Sequence, residues 1–351
     1  MEVPVWSVYA ASSLLALVVA LLLVPRARAL AFRYDVLDHP GGYKQQARPV
    51  PYLGGAAVTV AAVAGVTGAG VMGLDFVWEQ AAIVLAMSVL LAAVGLADDV
   101  KNLPPLPRLV AQAVAALVVI LLGTRVELVD STVVEVLLTL LWVVGITNGL
   151  NLLDNMDGLA AGVTVVASGW MFVMAAGNGQ FLVAILLVSL FGATLGFLRD
   201  NFHPASVYLG DAGSLFLGFL LAVAGMRLRF DAPIAYTWLV PVLALGLPIL
   251  DTSFVTINRL RSGRNPLSGG RDHISHRLVQ VGLPVRGAVL LLYAVAFVFG
   301  VLAFVVSRTA NWSAYLVAGV AFGASGLGLI GLERRAGHHL VAGFEPQGET
   351  A

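Results

Sequence analysis

Residues 181–198 read FLVAILLVSLFGATLGFL, with no ionisable side chain and only Ser189 and Thr194 polar. As a helix this run rises 1.5 Å per residue, so it covers about 27 Å, close to the ~30 Å hydrocarbon layer of a bilayer. It therefore reads as a span, placed near 180–198. Similar apolar runs lie near 5–25, 51–72, 78–97, 107–123, 132–150, 160–176, 212–228, 232–255, 286–306 and 312–332. The sequence thus predicts an all-α, polytopic integral membrane protein of about eleven transmembrane helices. The first run, Val5 to Val24, has no basic stretch before it and no small-residue exit after it, so it is expected to be retained as a span. Residues 1–332 are expected to form a single domain, and 333–351 a polar, disordered tail.

Composition supports this. Of 351 residues 59% are hydrophobic and 11% charged, against about 25% charged in soluble domains. So few charges cannot clothe a soluble fold of this size, and the lipid bilayer is the expected surroundings. The formal net charge is zero, which offers no basic field to nucleic acid. Cysteine is absent, which excludes disulfides, zinc–thiolate centres and a cysteine nucleophile.

With the N-terminus placed outside, sixteen of the twenty Lys and Arg residues fall in inner loops or at their edges. Only Arg125, Arg227, Arg229 and Arg308 fall outside. Positive residues gather on the cytoplasmic side. The expected topology is therefore N-terminus out and C-terminus cytoplasmic. The inner loops are also the long ones, and they carry the acids, amides and histidines.

Gly95-Leu-Ala-Asp98-Asp99 ends a span on two adjacent carboxylates, whose repulsion calls for a cation nearby; Arg108 stands nine residues on. A solvated acidic helix end has the same sequence. Asn148-Gly-Leu-Asn151-Leu-Leu-Asp154-Asn-Met-Asp157-Gly158 places Asn148, Asn151 and Asp154 on one helical face before a turn. Such oxygen donors suit Mg²⁺ or Mn²⁺, or serve merely as caps. Tyr208-Leu-Gly210-Asp211-Ala-Gly213-Ser214 opens a helix whose free N–H groups are a natural phosphate seat, with Asp211 as a metal ligand or an N-cap. The longest inner loop, 256–285, holds Arg259, Arg261, Arg264, Arg271 and Arg277 with Asp272, His273 and His276; arginine suits phosphate, although these residues also fit topological ballast. Lys44 precedes Pro49-Val-Pro51-Tyr-Leu-Gly54-Gly55.

No dinucleotide fingerprint, P-loop or Ser-His-Asp order is present. Phosphoryl transfer fits these ingredients best, because it asks mainly for a metal and cations placed around phosphate oxygens. A lipid-linked transporter or flippase is the competing class, but the acids gather at one face, and broken helices in two matching halves, the sign of many transporters, are not obvious.

From about Asp38 to Leu278 the chain resembles the polyprenyl-phosphate N-acetylhexosamine-1-phosphate transferases. Asp98-Asp99, Asn151 through Gly158, Asn201 through Ser214, and His273-Ile-Ser-His276-Arg277-Leu278 carry the likeness, in family order and spacing. The resemblance implies transfer of a sugar-1-phosphate, in the first instance GlcNAc-1-phosphate, from a UDP-N-acetylhexosamine to undecaprenyl phosphate. UMP would be released, with Mg²⁺ or Mn²⁺ required, as the first membrane step of an envelope polysaccharide such as lipopolysaccharide or teichoic acid. It implies that Asp98, Asp99, Asp154 and Asp211 are catalytic, with Asp98 and Asp99 at the lipid phosphate. The metal would sit on Asp211 with Asn151 and Asp154. Lys44, Asn148, Asn151, Asp157, Asn201, Tyr208, Arg271, His273 and His276 would bind substrate. A homodimer is left open. Departures are Gln46 and Ser275 where histidine is common, Asn155 for a frequent glycine, and Arg108 for a frequent lysine. A triple-histidine run is lacking, which disfavours the muramoyl-pentapeptide substrate.

Overall fold

The computed structural model describes residues 4–38, 49–72, 78–265, 270–309 and 311–342, with side chains to Arg335. Lys44 and Gln46 lie outside the described residues. The elements are α1 Val5–Tyr34, β1 Leu37–Asp38, β2 Val50–Pro51, α2 Gly54–Val71, α3 Trp78–Lys101, α4 Pro105–Leu121 and α5 Thr132–Leu153. They continue as α6 Leu159–Gly177, α7 Phe181–Asn201, α8 Gly210–Arg227, α9 Ile234–Thr237, α10 Leu239–Ala244, α11 Gly246–Arg261, α12 Ile274–Gln280, α13 Val285–Thr309 and α14 Ser313–Ala342. The chain is an all-α polytopic membrane protein. Among the described residues nine helices are long and apolar enough to cross a bilayer, and a bent pair makes a tenth. The expected eleventh span is α4, which is apolar but only 17 residues long. Helix α14 runs on to Ala342, past the point at which the tail was expected to begin.

Burial orders the bundle. In the apolar window of α8, 89% of residues are buried, and in α7 78%, against 11% in α14. Helix α8 packs on α3 and α5, and α7 on α1, α2 and α6. Outward faces such as Leu137 and Leu141 of α5 are exposed apolar surface, as lipid contact requires.

One expectation is corrected. The run 232–255 is not a single straight span: residues 234–244 and 246–261 meet at 76°. Pro248 has no N–H to offer the carbonyl of residue 244, and its ring crowds that turn, so the helix breaks there. The phenyl ring of Phe299 on α13 fills the space in front of Gly246. The break brings the lower half, α11, under α5, where Gly149 meets Thr252 and Pro248.

A two-residue antiparallel ladder, Leu37 with Pro51 and Asp38 with Val50, closes the segment between α1 and α2. From there Gly54 N–H donates to the Tyr208 carbonyl at 3.2 Å, and Tyr208 N–H to the Pro51 carbonyl at 2.8 Å. The turn entering α2 is thereby stitched to the turn entering α8.

Candidate active site

The C-terminal ends of α3 and α5 and the N-terminus of α8 converge at one end of the bundle. Gly95 on α3 lies against the backbone of Asp211 and Ala212, where a Cβ would collide. This close approach sets the site, because it lays the two α3 acids beside the start of α8.

The two acids then do different things. Asp99 accepts the backbone N–H of Asp211 at 2.8 Å and that of Ala212 at 3.1 Å. It therefore caps α8 from another helix, taking N–H groups that have no partner within their own helix. Gly210, at φ +68°, packs against this carboxylate. The sequence predicted those N–H groups as an open phosphate seat; the structure fills two of them with Asp99. Asp98, 7% exposed, accepts Leu103 N–H at 2.6 Å and faces Arg108 Nη1 at 2.6 Å. The same Arg108 nitrogen donates to Asp211 Oδ2, so one guanidinium ties α3 to the start of α8. Asp99→Asn is expected to lower both thermal stability and activity, since an amide presents an N–H to one of the two capped groups. Asp98→Asn is expected to lower activity with a smaller fall in Tm. Unfolding curves beside turnover for the two variants check this division.

On α5, Asn151 Nδ2 donates to Asp211 Oδ1 at 2.7 Å and to Ser214 Oγ at 2.9 Å. Asn148, one turn earlier, is instead paired with the buried Gln112 of α4, donating to its Oε1 at 2.5 Å. Asp154 follows the last residue of α5. Burial and the charges of Asp211, Asp99 and Asp157 hold its carboxyl well above the ordinary range.

A second layer supports these groups. Asp157 Oδ2 accepts Ala205 N–H at 2.9 Å and lies 2.8 Å from His203 Nδ1. Asn201 is buried with both ends of its amide in use, accepting Gly158 N–H at 3.1 Å and donating to the Val207 carbonyl at 3.0 Å. The rings of Tyr52 and Tyr208 stand 6.1 Å apart. Both phenols are pushed up, first by burial and then by nearby carboxylates: Asp38 and Asp99 for Tyr52, Asp157, Asp38 and Asp154 for Tyr208.

The histidine segment reaches the same end of the bundle. His273 stands just before α12, with Nδ1 2.7 Å from Asp251 Oδ2. The ring centroids of His273 and His276 are 6.3 Å apart, and Arg271 is exposed. Burial, then the charges of His273 and Arg271, lower the His276 pKa to about 4, so it is neutral at pH 7. Ser275 donates to Asn155 Oδ1 at 2.5 Å, which ties α12 to the turn after α5. The loop is anchored by Arg259, fully buried, which donates through Nε and Nη2 to Asp272, each at 2.9 Å. Arg264 adds a third contact at 3.0 Å. These guanidinium contacts hold the Asp272 pKa at about 2. Asp272→Asn strips a buried arginine of its charged partner, and such losses cost about 3 kcal/mol. A fall in Tm of several degrees in the purified protein is the expected result.

Four residues were not singled out from sequence. Gln112 and Asp38 read there as ordinary polar residues of an apolar run and a loop, and Arg259 as one arginine of many. Asp251 did leave a signal: it is an acid inside an apolar run, and intramembrane acids are functional by default.

Asp211, Asp154 and Asn151 supply hard oxygen donors, and Asp154 is both buried and close enough to feel the charges of Asp211, Asp99 and Asp157. Among the described residues no three histidine or acidic side chains form a ready cage. Two carboxylates and an amide are a donor set that Mg²⁺ can use, since it takes one or two carboxylates with waters and substrate phosphates. Beside the polar cluster runs an apolar groove of about 680 Å³. It runs from the loops at 125–128 and 228–230, at the opposite end of the bundle, along α5 from Leu138 to Gly149 and past Trp238 and Pro241 to Pro248, Thr252 and Ser253 of α11. Its inner end, at Gly149 and Thr252, adjoins Asn148, Asn151 and Asp251 along α5 and α11.

Residues 81–229, which carry α3 to α8 and thus both aspartates of α3 and the start of α8, match the profile of glycosyl transferase family 4. A Bacillus subtilis protein described as "Probable undecaprenyl-phosphate N-acetylglucosaminyl 1-phosphate transferase" is 30% identical over 309 residues, covering 85% of each chain. The chain belongs to glycosyl transferase family 4. The decaprenyl-phosphate N-acetylglucosaminephosphotransferase of Mycolicibacterium smegmatis is 32% identical over 301 residues, 76% of this chain and 74% of its own. Similarity to the phospho-N-acetylmuramoyl-pentapeptide-transferase of Chlamydia trachomatis, at 48% identity, is confined to 92 residues, 25% of this chain.

Proposed function

We propose that this family 4 enzyme transfers N-acetylglucosamine 1-phosphate from UDP-N-acetylglucosamine to undecaprenyl phosphate. The observation that carries the reading is the juncture of Asp98, Arg108, Asn151 and Asp211 beside an apolar groove. A phosphate-bearing lipid meets there the charged groups that phosphoryl transfer needs. The isoprenoid chain lies in the groove, with its phosphate at the inner end near Asp98 and Arg108. An oxygen of that phosphate attacks the β-phosphorus of the donor. A new P–O bond forms, the bond from the β-phosphorus to the bridging oxygen breaks, and UMP leaves with that oxygen. The lipid phosphate's second pKa lies near 6 by analogy with phosphoserine, so Asp98 need not remove a proton. Its part is to hold Arg108, which orients phosphate oxygens. Asp211, with Asn151 and Asp154 beside it, would hold Mg²⁺ or Mn²⁺, which offsets charge on the departing phosphate. The Tyr52–Tyr208 pair with Asp157 forms the nucleotide end, with Asn201 latching the turns behind it; Lys44, Arg271, His273 and His276 serve the donor diphosphate, and Asn148 holds the wall between α4 and α5.

The excess of Lys and Arg in the loops at this end supports a site on the cytoplasmic face of a bacterial inner membrane, where nucleotide sugars are found. The test is an incubation of membranes with labelled UDP-N-acetylglucosamine, undecaprenyl phosphate and Mg²⁺. Label in the organic phase with equimolar UMP is expected. Lipid label without UMP would point to carriage of a sugar and against transfer.

A further inference from the structure

Asp251 sits on α11 just after the break, and only 1% of it is exposed. Its two carboxylate oxygens have separate partners. Oδ1 accepts the Ile274 N–H at 2.8 Å, which fastens the first turn of α12. Oδ2 lies 2.7 Å from His273 Nδ1. His273 is itself 3% exposed, so ring and carboxylate are held together out of solvent. With Nδ1 donating to Asp251, the other ring nitrogen, Nε2, is left for a ligand, because the hydrogen bond made by one nitrogen sets the role of the other. Ser275 binds Asn155, next to Asp154, which fixes α12 against the acid cluster.

We propose that Asp251 is a positioning residue for the transfer reaction, acting through His273 by fixing its tautomer and aim. The proposal rests on the reading of His273 as a donor-binding residue. It differs from a plain capping role, which would require the Ile274 contact alone. Asp251→Asn separates the two. An asparagine keeps a carbonyl oxygen for Ile274 N–H but turns an NH₂ toward Nδ1, and so forces the other tautomer, as the equivalent change does in a Ser-His-Asp triad.

The experiment is a double-mutant cycle on the full-length purified enzyme: Asp251→Asn, His273→Asn and both together, with kcat, KM for UDP-N-acetylglucosamine and Tm for each. The expected result is a loss of about 10- to 100-fold in kcat/KM for Asp251→Asn, with Tm within a few degrees of the parent. In the His273→Asn background the same change is expected to cost less than about twofold, since partners acting as one unit are not additive. Losses that multiply, or an Asp251→Asn protein that no longer folds, would give the carboxylate a structural role and overturn the proposal. A damaged His273→Asn beside an undiminished Asp251→Asn would overturn it alone. An undiminished His273→Asn would remove the donor-site reading of that histidine as well.

Discussion

Asp211→Asn is expected to lower turnover about 1,000-fold while leaving the protein folded. Asp211 is the acid on which the other groups converge: Asn151 reaches Oδ1, Arg108 reaches Oδ2, and its own N–H is held by Asp99. An asparagine there keeps a hydrogen-bonding carbonyl for Asn151, so the helix start survives. It loses the charge that Mg²⁺ and Arg108 both require, and removal of one preorganised electrostatic group of this kind costs on the order of 10²–10³ in rate. Turnover measured over a range of Mg²⁺ concentrations, beside the unfolding curve, checks both halves. Activity near the parent level at ordinary Mg²⁺ would remove Asp211 from the centre of the site.

Arg108→Ala carries the second large effect. Arg108 joins Asp98 to Asp211 across two helices. Without it the two carboxylates face each other uncompensated, and like charges at close range raise one another's pKa and push the helices apart. A fall in activity of about 100-fold is expected, together with a lower Tm. Arg108→Lys keeps the charge, and a single nitrogen meets both carboxylates here, but it lacks the further guanidinium N–H groups for phosphate oxygens, so recovery is expected to be partial. Turnover and Tm of both variants, measured side by side, test this; equal activity in Arg108→Ala and Arg108→Lys would show that the charge at this position does not matter.

Both variants bear on how far the site can be read from sequence. Hydropathy alone placed the helices, because each span must be apolar along its length and the code is local. The bend in 232–255 was less legible. It depends on Pro248 and Gly246 inside a run that remains apolar, so window hydropathy passes over it. The acids were legible as a cluster, since adjacent carboxylates at span ends are costly without a purpose. Their division of labour was not: Asp98 and Asp99 are neighbours in sequence, yet one faces an arginine and the other caps a helix more than a hundred residues on. That difference arises from which way each points once Gly95 lets α3 approach α8. Asp251 was overlooked because it was counted within a span, and its partner His273 lies beyond the rest of α11 and the arginine loop. Asn201 reads as a donor-facing amide in sequence and proves to be buried, latching Gly158 to Val207.

A sugar-phosphate unit, not a bare sugar, moves to the lipid. The direct measurement uses UDP-N-acetylglucosamine carrying ³²P at the β-phosphorus, with purified enzyme, undecaprenyl phosphate and Mg²⁺. The label is expected to enter the lipid fraction while the nucleotide product is unlabelled UMP. Label leaving as UDP, with an unphosphorylated sugar joined to the lipid phosphate, would contradict it.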